Sequence, residues 1–195
     1  MTTVSKTKML LHRKQKEIVE SNARFKVVRA GRRGGKTTLE IEEMCFEAVS
    51  GKNRKIFYIA PTQIQARKII WEALKARLTG VAEINESRLE MKVPTNKGGF
   101  SVIYVAGWEN RENFRGMNAN LIVFDELDTM KDFFIGWQEI FRPALTDTRG
   151  KATFIGTPKK ENPNLRRLEK VAVDDIEWAC FTFKTADNPH IPPDE

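Results

Sequence analysis

The feature that most constrains this 195-residue chain is a glycine-rich loop placed between a largely apolar segment and a helix-like segment. Residues 30–38 read A-G-R-R-G-G-K-T-T and directly follow the segment 25–28. Glycines let a backbone curl so that its N–H groups face an anion, and a following helix N-terminus adds positive potential. The loop fits the pattern G-x-x-x-x-G-K-[ST], with Ala30 in place of the first glycine. The sequence therefore predicts a strand, a phosphate-binding loop and a helix.

The residue types in this loop indicate how a nucleotide is held. Lys36 is expected to reach the β- and γ-phosphates, and the Thr37 hydroxyl is expected to ligate Mg²⁺. The other positions expected to contribute to ATP binding are Gly31, Arg33, Gly34, Gly35 and Thr38. The competing interpretation is a basic, glycine-rich surface loop that matches the pattern by chance.

Composition narrows the class of protein. A hydrophobic share of 41% with 12 Phe is typical of one globular domain. The longest apolar runs, at 56–60 and 121–124, are far too short to span a bilayer, and residues 1–8 lack the apolar core of a secretory signal. Cys45 and Cys180 form no Cys-x-x-Cys pair, so we expect two reduced core residues in an intracellular setting.

The net charge of +7 is unevenly distributed along the chain. Residues 1–36 hold 11 Lys/Arg against two Glu, whereas residues 37–195 hold 22 Lys/Arg against 24 Asp/Glu. The basic excess therefore lies in the N-terminal segment and the loop. It fits attraction of a nucleotide and of nucleic acid, and it fits equally a solvated tail without a partner.

Strand-like and helix-like segments alternate along the chain, which is typical of a parallel sheet with helices on both faces. Strands are predicted over residues 25–30, 54–60, 121–124, 151–156 and 177–183, and a hairpin over 88–93 and 100–106. Helices are predicted over residues 37–49, 62–78, 131–145 and 164–172. The predicted fold class is α/β: a P-loop NTPase of the ASCE type, with a mostly parallel central sheet flanked by helices and a small C-terminal lid.

Two acidic residues supply the second half of the expected site. The apolar segment 121–124 leads directly into Asp125 and Glu126, about 90 residues after the loop. A buried strand of this kind delivers Asp125 beside the Mg²⁺ held by Thr37 and completes a Walker B element. Glu126 then lies at the carboxyl end of the sheet, where its expected role is to polarise the water that attacks the γ-phosphate.

Phosphoryl transfer also needs positive charge at the transition state, and two arginines are candidates. Arg32 lies inside the loop, where it would act within its own subunit, and Arg115 lies ten residues before Asp125 in a loop with a glycine. Thr157, at the end of a predicted strand, is placed to report the γ-phosphate, and Gln15 is placed to read adenine through its amide. From the residues alone, each of these four is equally or better explained as an ordinary surface or turn residue.

Taken together, these motifs resemble the N-terminal ATPase domain of the large terminase subunits of tailed bacteriophages. The segments that carry the resemblance are L-H-R-K-Q at 11–15, G-R-R-G-G-K-T at 31–37, A-P-T at 60–62, F-R-G at 114–116, L-I-V-F-D-E at 121–126, G-T-P at 156–158 and D-N-P at 187–189. They follow the family's order over nearly the whole chain.

The resemblance implies an ATP-driven motor that moves double-stranded DNA into a procapsid in the host cytoplasm. It implies a homo-oligomeric ring at the portal, a small terminase subunit as partner, and no membrane. By position, Arg115 is the arginine finger acting on a neighbouring subunit, Arg32 senses the γ-phosphate, Thr157 couples hydrolysis to movement and Gln15 contacts adenine. Residues 1–184 would form the ATPase domain with a lid at about 160–184, and 185–195 would begin a linker to a C-terminal nuclease domain that this chain lacks.

Two alternatives stay open at this point. Asp128 makes the acidic run D-E-L-D, which also resembles the D-E-x-D box of superfamily 2 helicases. Such enzymes need a second motor domain, which a chain ending at Glu195 lacks. The third hypothesis is a nucleotide-binding module that docks a partner without turnover, and the presence of Lys36, Asp125 and Glu126 speaks against it.

Overall fold

The computed structural model describes residues 11–159 and 163–191. The first ten residues, three residues of the expected lid and the last four residues of the expected linker lie outside these ranges. Among the described residues, no helix is long and apolar enough to cross a membrane.

Within the described residues, eight strands form one sheet in the order β3-β4-β5-β2-β6-β7-β1-β8. The strands are β1 Phe25–Ala30, β2 Lys55–Ala60, β3 Glu83–Asn85, β4 Glu90–Pro94, β5 Phe100–Gly107, β6 Leu121–Phe124, β7 Lys151–Gly156 and β8 Trp178–Phe183. The six strands from β5 to β8 in this order are parallel, and β3 and β4 extend the sheet antiparallel to β5. The predicted mostly parallel α/β sheet and the hairpin are confirmed.

Helices flank the sheet on both faces. They are α1 Arg13–Glu20, α2 Lys36–Ser50, α3 made of Gln63–Ala66, a π-helical turn Arg67–Trp71 and Glu72–Leu78, α4 made of Phe133–Gly136, a π-helical turn Trp137–Phe141 and Arg142–Ala144, and α5 Asn164–Ala172. Helix α3 begins one residue later than predicted, because the Thr62 side chain is its N-cap and accepts a hydrogen bond from Gln65 N at 3.2 Å. Helix α4 begins two residues later than predicted, because Asp132 is in the left-handed region with φ 52°.

Successive strand residues face two separate cores. Tyr58 points into a core that α2 and α3 cover with Met44 and Trp71, whereas its neighbour Phe57 belongs to the core on the opposite face. That second core is rich in aromatic rings: Phe124 stacks on Phe154 with centroids 5.3 Å apart. Burial on both faces explains why the central strands are nearly continuous apolar runs.

The cysteine prediction is half right. Cys45 is buried under the sheet as expected, but Cys180 is exposed. Cys180 lies on β8, which is the edge strand of the sheet, so no further strand covers it. The expectation of a core position at 180 was therefore wrong.

The sheet order brings the expected site together. Strands β6, β7 and β1 are consecutive and parallel, so their carboxyl ends meet at one edge of the sheet. At this edge lie the glycine-rich loop after β1, the acidic pair after β6 and Thr157 after β7. Ligands of open α/β sheets bind at this edge.

Candidate functional site

One lysine joins the three strand ends. The Lys36 Nζ donates to Glu126 Oε1 at 2.7 Å and to Thr157 Oγ1 at 3.3 Å. The Thr157 hydroxyl in turn donates to the carbonyl of Ala30 at 3.1 Å. The structure thus brings Lys36, Glu126 and Thr157 into direct contact, although up to 121 residues separate them in the sequence.

The loop backbone is curled by residues with positive φ. Arg33 has φ 58° and Gly35 has φ 92°, and the Gly34 N–H closes a turn onto the Gly31 carbonyl at 3.2 Å. Helix α2 then begins at Lys36 with Gly35 as its N-cap, and no side chain caps its first turn. A first turn without a side-chain cap leaves backbone N–H groups that an anion can satisfy.

A cavity of about 370 Å³ opens beside this loop. Its lining residues are Arg33, Gly35, Lys36, Thr37, Ile69, Asp125 and Glu126. The cavity therefore joins the loop to the acidic pair, and its size is that of a small-molecule site. Gly31, Gly34 and Thr38 belong to the same loop and helix start but do not line the cavity.

The Asp125 carboxylate is almost fully buried and is held by two donors. Its Oδ2 accepts from the Tyr58 hydroxyl at 2.7 Å, and its Oδ1 accepts from the Glu126 N–H at 2.8 Å. Burial raises the pKa of Asp125 above its usual range, and the Tyr58 hydroxyl opposes that shift. Burial and the neighbouring carboxylates raise the pKa of Tyr58 as well. Sequence reasoning missed Tyr58, because its role depends on β2 lying beside β6.

Glu40 is a second residue that sequence reasoning missed. It lies on α2, is completely buried, and neither of its carboxyl oxygens has a hydrogen-bond donor among the described residues. Burial, and after it the charge of Asp125, raise the pKa of Glu40 well above its ordinary value. The available signal was a carboxylate between the apolar residues Leu39 and Ile41 on a helix that follows a phosphate-binding loop.

The residues present fit a magnesium ion. The Thr37 hydroxyl and the Asp125 carboxylate line the same cavity, and both are hard oxygen donors of the kind that Mg²⁺ prefers. The described residues contain no group of three or more His, Cys, Asp or Glu able to hold a metal ion. This agrees with the usual behaviour of Mg²⁺, which takes one or two protein ligands and completes its shell with water and phosphate oxygens.

Gln15 lies under the loop and does not line the cavity. It is 2% exposed, its Nε2 donates to the Gly35 carbonyl at 2.8 Å, and its Oε1 accepts from the His12 N–H at 2.9 Å. The same His12 caps α1 and contacts the Gly34 carbonyl through Nε2 at 3.2 Å. Both ends of the Gln15 amide are therefore engaged within the chain, and its contact with adenine stays a prediction.

Neither candidate arginine lines the cavity. Arg32 is exposed on the loop. Arg115 is half exposed, and its guanidinium donates to Glu112 at 3.1 Å and to Glu139 at 3.4 Å. Within one chain, the structure does not bring Arg115 to Lys36 and Glu126.

Asp128 has a structural role. It is 2% exposed, and its two oxygens accept from the Lys159 N–H at 2.7 Å and from the Leu165 N–H at 2.8 Å. The carboxylate thereby joins the end of β7 to the first turn of α5. The residue that suggested a helicase box is accounted for by this packing.

Searches of solved structures found similar proteins of the same architecture. The large terminase ATPase domain of Thermus phage P74-26 matches with a TM-score of 0.79 at 21% identity, covering 89% of this chain and 80% of that one. The full large terminase of another phage, described as a thermophilic bacteriophage, matches with a TM-score of 0.81 at 16% identity, covering 95% of this chain and 48% of that one. This second terminase also matches in complexes with ADP and with ATP-gamma-S.

The large terminase of bacteriophage HK97 matches with a TM-score of 0.70 at 16% identity, covering 90% of this chain and 40% of that one. This chain thus spans about half the length of the thermophilic bacteriophage terminase and less of the HK97 protein. A search of curated proteins found no match. The model of one sequence family, described as terminase large subunit, T4likevirus-type, N-terminal, matches residues 27–184. With its fold, its site and about four fifths of its length in agreement, the chain belongs to the terminase large subunit family, as its N-terminal part.

Proposed function

We propose that this chain hydrolyses ATP and that hydrolysis drives double-stranded DNA into a phage procapsid. The observation that carries the proposal is the contact of Lys36 Nζ with Glu126 Oε1, 2.7 Å apart, in a cavity that also exposes Thr37 and Asp125. This arrangement places a phosphate-binding cation, two magnesium-type ligands and a carboxylate base within one site. The thermophilic bacteriophage terminase, solved with ADP and with ATP-gamma-S, supports nucleotide binding by this fold.

The loop and the start of α2 would hold the triphosphate. Lys36 would bind the β- and γ-phosphates, and the backbone N–H groups around Gly35 would receive phosphate oxygens. Thr37 and Asp125 would hold Mg²⁺. When bound, this ion neutralises charge that develops on the phosphate oxygens.

Glu126 would activate water. Phosphate oxygens compete with the Glu126 carboxylate for the Lys36 ammonium, because both are anions and Lys36 offers one cationic group. A carboxylate released from Lys36 is free to accept a hydrogen bond from the attacking water and to take its proton. Substrate binding thereby prepares the base.

Thr157 would couple hydrolysis to movement, because its hydroxyl touches both Lys36 and the Ala30 carbonyl. Arg115 would act on the ATP of a neighbouring subunit in a ring, while Arg32 would act within its own chain. The family supports double-stranded DNA, a procapsid portal and a small terminase subunit as partners, and the host cytoplasm as the location. Part of the lid expected at about 160–184 and the linker expected from 185 would carry the motion.

Phosphate release from Mg-ATP tests this function directly. Glu126→Gln is expected to lower kcat by about 10²-fold or more while leaving ATP binding within a few-fold, because it removes the base and keeps the shape. Lys36→Ala is expected to weaken ATP binding itself.

Glu20→Gln is the matched control, since Glu20 is exposed on α1 far along the chain from the site. It should behave as the unaltered chain. A Glu126→Gln protein that hydrolyses ATP at the unaltered rate would contradict the proposal.

A further inference from the structure

A segment at the C-terminal end of the described chain lies against the outer side of the glycine-rich loop. We call residues 183–188 the strap: they comprise the last residue of β8 and a 3₁₀ turn at Thr185–Asp187 with its flanking residues. The Gly31 N–H donates to the Phe183 carbonyl at 3.0 Å. The strap therefore continues the β1–β8 pairing onto the loop.

Two strap side chains hold consecutive carbonyls of the loop. The Thr185 hydroxyl donates to the Arg32 carbonyl at 2.8 Å, and Asn188 Nδ2 donates to the Arg33 carbonyl at 2.8 Å. The next two carbonyls along the loop are held from the other side by His12 and Gln15. Four consecutive carbonyls of the loop are thus fixed by side chains that lie outside it.

Holding these carbonyls sets the direction of the N–H groups that a phosphate would meet. In a planar trans peptide, the carbonyl of one residue and the N–H of the next point in opposite directions. Thr185 therefore orients the Arg33 N–H, and Asn188 orients the Gly34 N–H, which closes the turn onto Gly31 at 3.2 Å. Arg33 is in the left-handed region with φ 58°, a conformation that persists only where its surroundings hold it.

The strap also packs tightly on the loop glycines. A Cβ atom at Gly31 would lie 2.8 Å from the Thr185 nitrogen, and one at Gly34 would lie 2.8 Å from the Phe183 ring. Both separations are below ordinary contact distance, so the loop and the strap fit together only with glycine at these positions. A change in the loop is therefore transmitted directly to the strap.

We propose that Thr185 and Asn188 are positioning residues of the phosphate-binding loop, so that nucleotide affinity and the order of the strap are linked. This inference rests on the proposed ATPase function and extends past residue 184, where the family match ends. Linkage is reciprocal: if the strap favours the loop geometry that binds phosphate, then bound nucleotide favours the docked strap. The chain leaving the strap would thereby respond to the nucleotide.

Equilibrium titration with a fluorescent ADP analogue and Mg²⁺ tests the first half of the proposal. Thr185→Val and Asn188→Leu each remove one donor to a loop carbonyl, and each is expected to raise Kd about threefold to tenfold. Thr185→Ser keeps the hydroxyl and should restore the unaltered Kd. Thr182→Val, at an exposed position of β8, is the matched control and should leave Kd unchanged.

Hydrogen exchange of the strap amides, read with and without Mg-ADP, tests the second half. Saturating nucleotide is expected to slow exchange at the Asp187 and Asn188 N–H groups, which are bonded to Lys184 and Thr185 carbonyls at 3.1 Å. The Asn188→Leu protein should lose most of this protection.

Thermal unfolding of every variant separates positioning from a merely structural role. A Thr185→Val or Asn188→Leu protein with a lowered Tm and an unaltered Kd would overturn the inference and leave the ATPase proposal intact. An unaltered chain that binds no nucleotide would overturn both.

Discussion

Single side chains in this protein carry charge into places where water is absent. Glu40 and Asp125 lie close together beneath the phosphate-binding loop, and burial raises the pKa of both carboxyls. Glu126 differs, since it is only partly buried and is paired with Lys36. The site therefore separates a buried acidic pair from an accessible carboxylate that can meet water.

Replacing Glu40 with Gln is expected to stabilise the protein increasingly as pH rises. A carboxyl whose pKa is higher in the folded than in the unfolded chain contributes stability below its ordinary pKa of 4.5 and loses it as pH rises through the folded value. Glutamine does not titrate, so its advantage should grow between about pH 5 and pH 8 to about 1–3 kcal/mol. Urea unfolding of Glu40→Gln and the unaltered chain at both pH values measures this difference.

The exposed control Glu20→Gln should show no such trend. Equal stability differences at the two pH values for the Glu40 variant would mean that Glu40 does not carry the raised pKa described above.

Connections between strands and helices place the functional residues, and these connections differ in how well sequence predicts them. Strands β1, β6 and β7 have the predicted bounds, because apolar runs that end in glycine or acidic residues are strong local signals. Helix α1 and the exposed strand β3 were not predicted, since their few residues carry little periodicity. The contacts of Tyr58, Glu40 and the strap were also missed, because they arise only when distant segments pack together.

Asp128→Ala is expected to lower the free energy of unfolding by about 2–4 kcal/mol. The substitution leaves the buried N–H of Leu165 and the N–H of Lys159 without their acceptor, and it disconnects β7 from α5. Denaturant unfolding measures the loss, and Asp128→Asn, which keeps one acceptor oxygen, should lose less.

Asp174→Ala, at an exposed position, is the control for this substitution and should stay within about 0.5 kcal/mol. An Asp128→Ala protein as stable as this control would show that the acidic run has a use other than packing.

Across the whole molecule, the one arginine predicted to act from outside lies away from its own nucleotide cavity. Arg115 is exposed and is held by Glu112 and Glu139, both exposed themselves. A guanidinium on the surface can enter the site of another copy, which is how a finger in a ring would work. The sequence predicted the residue, whereas its partner site depends on assembly, which one chain does not contain.

Mixing two inactive variants tests whether Arg115 acts between chains. Arg115→Ala keeps an intact site and Lys36→Ala keeps an intact finger, so each alone should lose about 10²-fold or more in ATPase rate. Their mixture is expected to regain activity well above the sum of the two, rising with protein concentration. No regain, together with full loss in Arg32→Ala, would assign the role to Arg32 within its own chain.

The central claim is that Lys36, Asp125 and Glu126 act on one triphosphate. A crystal structure with Mg²⁺ and ATP-gamma-S tests it most directly. The account predicts the γ-phosphate within hydrogen-bond distance of Lys36 Nζ, the metal between Thr37 and Asp125, and Glu126 facing the γ-phosphorus through a water. A nucleotide bound away from these side chains, or a metal that neither Thr37 nor Asp125 approaches, would contradict it.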